Sequence, residues 1–198
     1  MIHADHVDLI RDGVSGSGSV WADFGSGSGA FTFALADLLG TDGHIYSVDQ
    51  NSGALRDQAV AMRRQFPETQ LHQIHGDFTQ RIRLPPLDGV VAANALHFVR
   101  DQVAVLKLVR ETLKPGGRLV VVEYNTDRGN QWVPNPFSFT TFVLLAEGAG
   151  FEGARQLSSR PGTFLDGMYA AVAFRVDSQT AIQATYPNNF QHLSEINH

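Results

Sequence analysis

From Val20 to about Val176 short apolar runs alternate with longer amphipathic ones, and that alternation restricts the chain to a largely parallel sheet covered by helices. Val20 to Phe24 reads as a first strand that runs into the glycine-rich Gly25-Ser-Gly27-Ser-Gly29. A helix from about Ala30 to Leu39 follows, stopped by Gly40. His44 to Val48 is a second strand, and Ser52 to Gln65 a second helix closed by Phe66-Pro67. Leu71 to His75 gives a third strand. Gly89 to Ala93 is a fourth, apolar enough to be buried on both faces. Asp101 caps a helix whose Val103, Leu106, Val109 and Leu113 recur at helical spacing. Lys114-Pro-Gly-Gly117 turns into a fifth strand, Arg118 to Glu123. A loop from Tyr124 to Pro136 precedes a helix near Ser138 to Ala149. The last two strands, Glu152 to Leu157 and Met168 to Phe174, are joined by too short a link for a crossover helix, so they should be antiparallel. The expected fold is α/β: a doubly wound sheet of about seven strands, mostly parallel, with helices on both faces.

A chain of 198 residues fits one domain. Residues 1–19 read as a lead-in, 20–176 as the folded domain and 177–198 as a loosely held tail without periodicity. The chain carries 15 Lys and Arg against 20 Asp and Glu, a net charge of −5, which disfavours binding nucleic acid through the phosphate backbone. The cysteine count is 0, which removes disulfides, thiolate zinc sites, cysteine nucleophiles and cysteine-ligated iron–sulfur clusters. No apolar run approaches a membrane span, and the first residues lack the basic start and apolar block of a secretory signal. A cytoplasmic location is the expectation.

Open α/β sheets bind ligands at the carboxyl ends of their strands. Asp23 and the glycine loop end strand one, and Asp49 ends strand two. Gly76-Asp77-Phe78 follows strand three, Asn94 follows strand four, and Glu123-Tyr124 closes strand five. Glycines allow the tight turn and the close approach of a ligand, and free N–H groups at the next helix start favour an anionic group. Gly25-Ser-Gly27-Ser-Gly29-Ala30 also satisfies a loose dinucleotide fingerprint, so the loop by itself says only "nucleotide-like ligand" or a plain Gly/Ser turn. Asp49 suits a ribose diol, a device shared by NAD and adenosine sites, or else helix capping, which Asn51 or Ser52 can also supply.

Asp23-Phe-Gly25-Ser-Gly27-Ser-Gly29 resembles the first motif of class I S-adenosylmethionine-dependent methyltransferases. Its acidic residue stands where dehydrogenases usually carry an apolar one. Tyr46-Ser-Val-Asp49 resembles the second motif, and Gly76-Asp77-Phe78 the adenine-contacting step. Asp88 to His97 resembles the fourth-strand motif, and Leu113-Lys-Pro-Gly-Gly-Arg-Leu119 the turn into strand five. The resemblance spans about Val20 to Val176, with every motif in register. It implies a cofactor, S-adenosyl-L-methionine, that leaves as S-adenosyl-L-homocysteine. Gly25, Ser26, Gly27 and Gly29 would lie under its methionine part, with Asp23 ordering that end. Asp49 would take the ribose hydroxyls, and Asp77 the adenine amino group. The Phe78 N–H would read the ring, Gln50 would pack over it, and Asn94 would sit near the amine and the reacting methyl.

Methyl transfer from a sulfonium needs mainly alignment and exclusion of water. A general base is needed only if the acceptor keeps its proton until attack. His97, just past strand four, is the candidate base, or else a histidine packed under the following loop. Tyr124 and Trp132 either shape an apolar acceptor pocket or anchor a surface loop. No metal is expected, since His72 and His75 point to opposite faces of a strand and His3 and His6 lie in an unanchored N-terminus. Asn94-Ala-Leu-His97 lacks the Pro-Pro pair of enzymes that methylate adenine or glutamine amines, and few residues precede strand one to form a cap. The expected acceptor is therefore a small molecule at a site left open, closed by the Tyr124 to Pro136 loop or the tail, or completed in a homodimer. The other readings are an NAD(P)-dependent oxidoreductase and a non-catalytic S-adenosylmethionine-binding protein.

Overall fold

Strands Val20–Phe24 (β1), His44–Asp49 (β2), Gln70–His75 (β3), Leu87–Ala93 (β4), Leu113–Tyr124 (β5), Phe151–Arg160 (β6) and Met168–Arg175 (β7) form one sheet in the order β3-β2-β1-β4-β5-β7-β6. This computed structural model describes residues 1–14, 16, 18–162, 164–165 and 167–176. The expected tail, 177–198, and two residues of the Gly/Ser approach to β1 lie outside the described residues. Every pairing among β1 to β5 is parallel, while β7 runs antiparallel to both β5 and β6. The order reverses between β1 and β4, where connections leave the sheet in opposite directions and open a crevice.

Helices Ala30–Leu39 (α2) and Ser52–Gln65 (α3) cover one face; Gln102–Thr112 (α4) and Phe139–Gly148 (α5) cover the other. Alternate residues of the central strands point to the two faces. Trp21, Val91, Val120 and Val122 bury with α2 and Met62, and Ala22, Val90, Leu119 and Val121 with α4 and α5. Trp21 is fully buried directly opposite Gly89, and a Cβ on that glycine would stand 2.3 Å from the indole. Glycine at 89 is thus required by the ring that locks β1 to β4. Asp88 adds a polar stitch: its Oδ2 accepts from the Val20 N–H at 2.8 Å, and its Oδ1 from Lys114 Nζ at 2.7 Å.

Two expectations are corrected. The N-terminus is anchored, because His3–Ile10 forms a helix (α1) that packs on α2 and β6. Val7, Leu9 and Ile10 are buried, Asp5 accepts from the Ile2 N–H, and Asp5 pairs with Arg160 at 3.0 Å. Second, no separate turn precedes the fifth strand. β5 starts at Leu113 beside Leu87 and then slips register, so that Gly89 faces Arg118 and Lys114-Pro-Gly-Gly117 bulges out of the ladder. Among the described residues no helix is long and apolar enough to cross a membrane.

Candidate active site

A cleft of about 660 Å³ opens at the carboxyl ends of β1, β2 and β4, at the reversal of strand order. The structure brings Gly25, Asp49, Gln50, Asp77, Phe78 and Asn94 together on its wall. The opposite wall comes from the 3₁₀ turn Leu96–Phe98 and the start of α4, with Phe98, Val99, Arg100 and Asp101. Phe98 is 65% exposed although fully apolar, a residue the sequence reading passed over. Gly25 adopts φ +75°, and a Cβ there would meet that of Ala95 at 2.6 Å. The close approach of the 94–95 segment to the loop therefore depends on glycine.

The loop's donors are largely engaged within the protein. The Gly25 and Ser26 N–H groups donate to the Val48 carbonyl at 2.9 and 3.1 Å, and Gly29 N–H to the Ser26 carbonyl at 2.9 Å. Gly27 N–H donates to Asp49 Oδ2 at 2.8 Å, while Asp49 Oδ1 accepts from Asn51 N–H at 2.7 Å. Asn51 also caps α3 through its own side chain, which frees Asp49 from that duty. The engaged groups are those of the loop itself, Gly25, Ser26, Gly27 and Gly29, and not the Ala30 and Phe31 N–H groups that open α2. Asp23 is 2% exposed and stands behind the loop, off the cleft wall. It accepts from Thr32 Oγ at 2.6 Å and faces the Thr32 N–H in the first turn of α2. Burial pushes its carboxyl up to about 7, further raised by the Asp49 charge and opposed by the Thr32 bonds. One N–H of the first turn of α2, that of Thr32, thus faces the protein's own carboxyl.

Asp77 Oδ1 accepts from the Thr79 N–H and hydroxyl at 2.8 and 2.7 Å, leaving Oδ2 without a partner among the described residues. Phe78 stacks on Phe24 with ring centroids 5.9 Å apart. Gln50 is exposed at the rim, its carbonyl bonded to His75 Nε2 at 2.9 Å. Asn94 stands at φ 51°, a left-handed conformation uncommon outside glycine, and its buried Oδ1 has no hydrogen-bond partner. Local strain and an orphaned acceptor thus coincide at one residue of the cleft wall.

His97, Tyr124 and Trp132 are placed differently. His97 is 3% exposed and off the cleft wall, under the loop between β5 and α5. Its Nδ1 lies 2.8 Å from Glu123 Oε2, its N–H donates to Glu123 Oε1 at 3.2 Å, and its carbonyl accepts from Asn135 N–H at 3.0 Å. Glu123 is fully buried, and its two oxygens engage both the main chain and the ring of His97. Tyr124 is half-buried, its ring 6.0 Å from His97 and 5.3 Å from Phe164. Its hydroxyl is pushed up by burial and by the Glu123 charge. Trp132 is 70% exposed, its N–H held by Asn130 Oδ1 at 2.8 Å in a turn of the same loop. His72 stacks against Tyr46 at 4.6 Å, and among the described residues no group of three His, Asp or Glu could hold a metal ion.

The cleft at the strand reversal thus gathers the glycine loop, the acidic Asp49 and Asp77 and the orphaned Asn94 acceptor. The family described as "Methyltransferase domain" matches residues 15–141, and the chain belongs to it, as a class I S-adenosylmethionine-dependent methyltransferase. Demethylmenaquinone methyltransferase of Bacillus licheniformis is 32% identical over 130 residues, 65% of this chain and 51% of that protein. Reducing polyketide synthase ppsB of Aspergillus oryzae is 31% identical over 124 residues, 61% of this chain but 5% of the synthase. The chain thus spans about half, or far less, of the curated relatives it matches. In fold it is similar to a SAM-dependent methyltransferase from Aquifex aeolicus, with TM-score 0.69, 18% identity and coverage of 87% of this chain and 90% of that one.

Proposed function

We propose that the cleft holds S-adenosylmethionine between Asp49, Asp77 and Asn94, and that its methyl passes to a small-molecule nucleophile approaching past Phe98. The observation that carries this reading is the state of the glycine loop. With Asp49 on the Gly27 N–H and Asp23 behind the start of α2, two acidic groups stand at the loop, where they suit a cation better than a pyrophosphate. This is the physical reason to prefer the cationic adenosyl ligand over a nicotinamide dinucleotide. Asp49 would accept the ribose hydroxyls through its remaining lone pairs, and Asp77 Oδ2 the adenine amine, with the Phe78 N–H and Gln50 about the ring. Asn94 Oδ1 would accept from the ligand's ammonium. Asp23 would act through the loop, and Ser26, Gly27 and Gly29 would shape it.

When bound, the cofactor supplies a methyl group already activated on a sulfonium. The chain's own task is then to align the acceptor and keep water out. Phe98 and Tyr124 flank the His97 ring with centroids 4.3 and 6.0 Å away, and Phe164 packs edge-on to Tyr124 at 5.3 Å, an aromatic surface beside the cleft fit for an apolar acceptor. The names of relatives such as demethylmenaquinone methyltransferase support a small aromatic acceptor. His97, with its Nδ1–H held by Glu123, would take an acceptor proton at Nε2 once the overlying loop moves.

Calorimetric titration with S-adenosylmethionine, S-adenosylhomocysteine and NADH tests the cofactor assignment. Both adenosyl ligands should bind at micromolar concentration, and Asp49→Ala should weaken them at least ~30-fold through loss of a charge-assisted pair of hydrogen bonds. Tight NADH binding without a response to the adenosyl ligands would overturn it.

A further inference from the structure

Behind the glycine loop a buried chain of polar side chains links Ser26 to Asp23. Ser26 Oγ lies 2.9 Å from Ser47 Oγ; Ser47 donates to Gln58 Oε1 at 2.6 Å. Gln58 Nε2 donates to Thr32 Oγ at 3.1 Å, and Thr32 donates to Asp23 Oδ2 at 2.6 Å. Gln58 is 1% exposed and packs against the loop itself, its Cγ 2.7 Å from where a Cβ on Gly29 would stand.

The direction of this chain is decided at its far side. Gln73, on the edge strand β3, bonds through Nε2 to the Leu55 carbonyl and to Gln58 Oε1, the latter at 3.0 Å. A main-chain carbonyl only accepts, so the Gln73 atom facing it must be the amide nitrogen. That nitrogen in turn requires Gln58 to present its oxygen, which places the Gln58 amide nitrogen on Thr32. The Thr32 hydrogen is then left for Asp23. On the other branch the single Ser47 hydrogen goes to Gln58, so Ser26 must donate to Ser47. Ser26 therefore has only lone pairs to offer on its outer side, and every O–H and N–H dipole between loop and carboxyl points its positive end inward.

We infer that Gln73 and Gln58 are positioning residues for the cofactor loop, fixing the polarity of the Ser26-to-Asp23 relay so that the loop presents its electronegative side to a cationic ligand. The inference rests on the cofactor assignment above, and neither glutamine belongs to the motifs that carried it. Four elements surround Asp23. Asp49 from β2 is the charged group that acts on it, α2 and α3 present the neutral Thr32 and Gln58, and β4 presents the apolar Val91.

The variants are Gln73→Glu and the neutral Gln73→Met, read together. The glutamate also adds a negative charge that by itself raises the Asp23 midpoint, so a midpoint moved in Gln73→Glu and unmoved in Gln73→Met would overturn the inference. The new carboxylate cannot donate to the Leu55 carbonyl or to Gln58, so Gln58 turns over and draws the Thr32 hydrogen away from Asp23. Two readouts follow on the full chain: calorimetric binding of S-adenosylhomocysteine at pH 7, and the titration of the Asp23 carboxyl carbon by NMR in ligand-free protein. The relay predicts roughly tenfold weaker binding and an Asp23 midpoint raised by about one unit. Gln73→Met removes the anchor without reversing it and should cost about threefold in binding. Weaker binding with an unmoved Asp23 midpoint would mean general loosening and would overturn the inference, as would wild-type behaviour on both readouts. If the wild-type chain binds no adenosyl ligand, the cofactor assignment fails instead, a result visible before any variant is made. Should Gln73→Glu not fold, Gln73→Met with the same two readouts decides.

Discussion

At the scale of single residues, Asn94 holds the clearest conflict between stability and function. Its left-handed backbone costs a non-glycine residue on the order of 1 kcal/mol, and its buried Oδ1 forfeits a hydrogen bond. A sequence selected for folding alone would carry glycine there. Asn94→Gly should therefore raise the stability of the ligand-free protein by about 1 kcal/mol, seen as a higher midpoint in denaturant. The same change should weaken S-adenosylhomocysteine about tenfold, because the ammonium loses its acceptor. A variant that gains stability and keeps full affinity would remove Asn94 from the site. The motif residues Gly25, Asp49, Asp77 and Asn94 were legible in the sequence because each must end a strand on the ligand side. Gln58 and Glu123 were not legible as partners of Thr32 and His97. Their roles come from contacts between elements distant in sequence, which no spacing rule encodes.

Among the described residues, whole elements differ in how plainly the sequence announces them. The boundaries of α2 and α3 follow from the glycine loop and Gly40 at one helix and from Asn51 and Phe66-Pro67 at the other. Helix α1 escaped the reading because His3–Ile10 spans only 8 residues, about two turns, too few for an apolar period to stand out. Its stability comes from tertiary burial rather than from helix propensity. Leu9, 1% exposed against α2 and the outer strands, carries much of that burial. Leu9→Ala should destabilise the protein by about 3 kcal/mol in chemical denaturation. Cofactor affinity should hardly change, since α1 lies far in the fold from the wall of the cleft. A measured loss below about 0.5 kcal/mol would mean that α1 frays from the sheet in solution.

For the molecule as a whole, the site's electrostatics set how stability varies with pH. The Asp23 carboxyl rises from 3.8 in an unfolded chain to about 7 in the fold, chiefly through burial. Between those values the folded protein holds a proton that the unfolded chain has released. Stability is thus greatest below the unfolded value and falls as pH climbs through about 7, by on the order of 4 kcal/mol in the limit. This runs opposite to the usual salt-bridged carboxylate, whose contribution disappears toward acid. A cation in the cleft reverses the preference by favouring the ionised Asp23, so cofactor binding should release protons and tighten from pH 6 to 8. Unfolding of the ligand-free chain in urea between pH 5 and 8 should give a declining stability, and Asp23→Asn should flatten the decline while retaining an acceptor for Thr32. The asparagine variant should also lose the rise in cofactor affinity with pH. A wild-type curve as flat as that of Asp23→Asn would show that Asp23 is ionised throughout, and the loop would then owe its cation preference to a fixed charge instead of a proton exchanged with solvent.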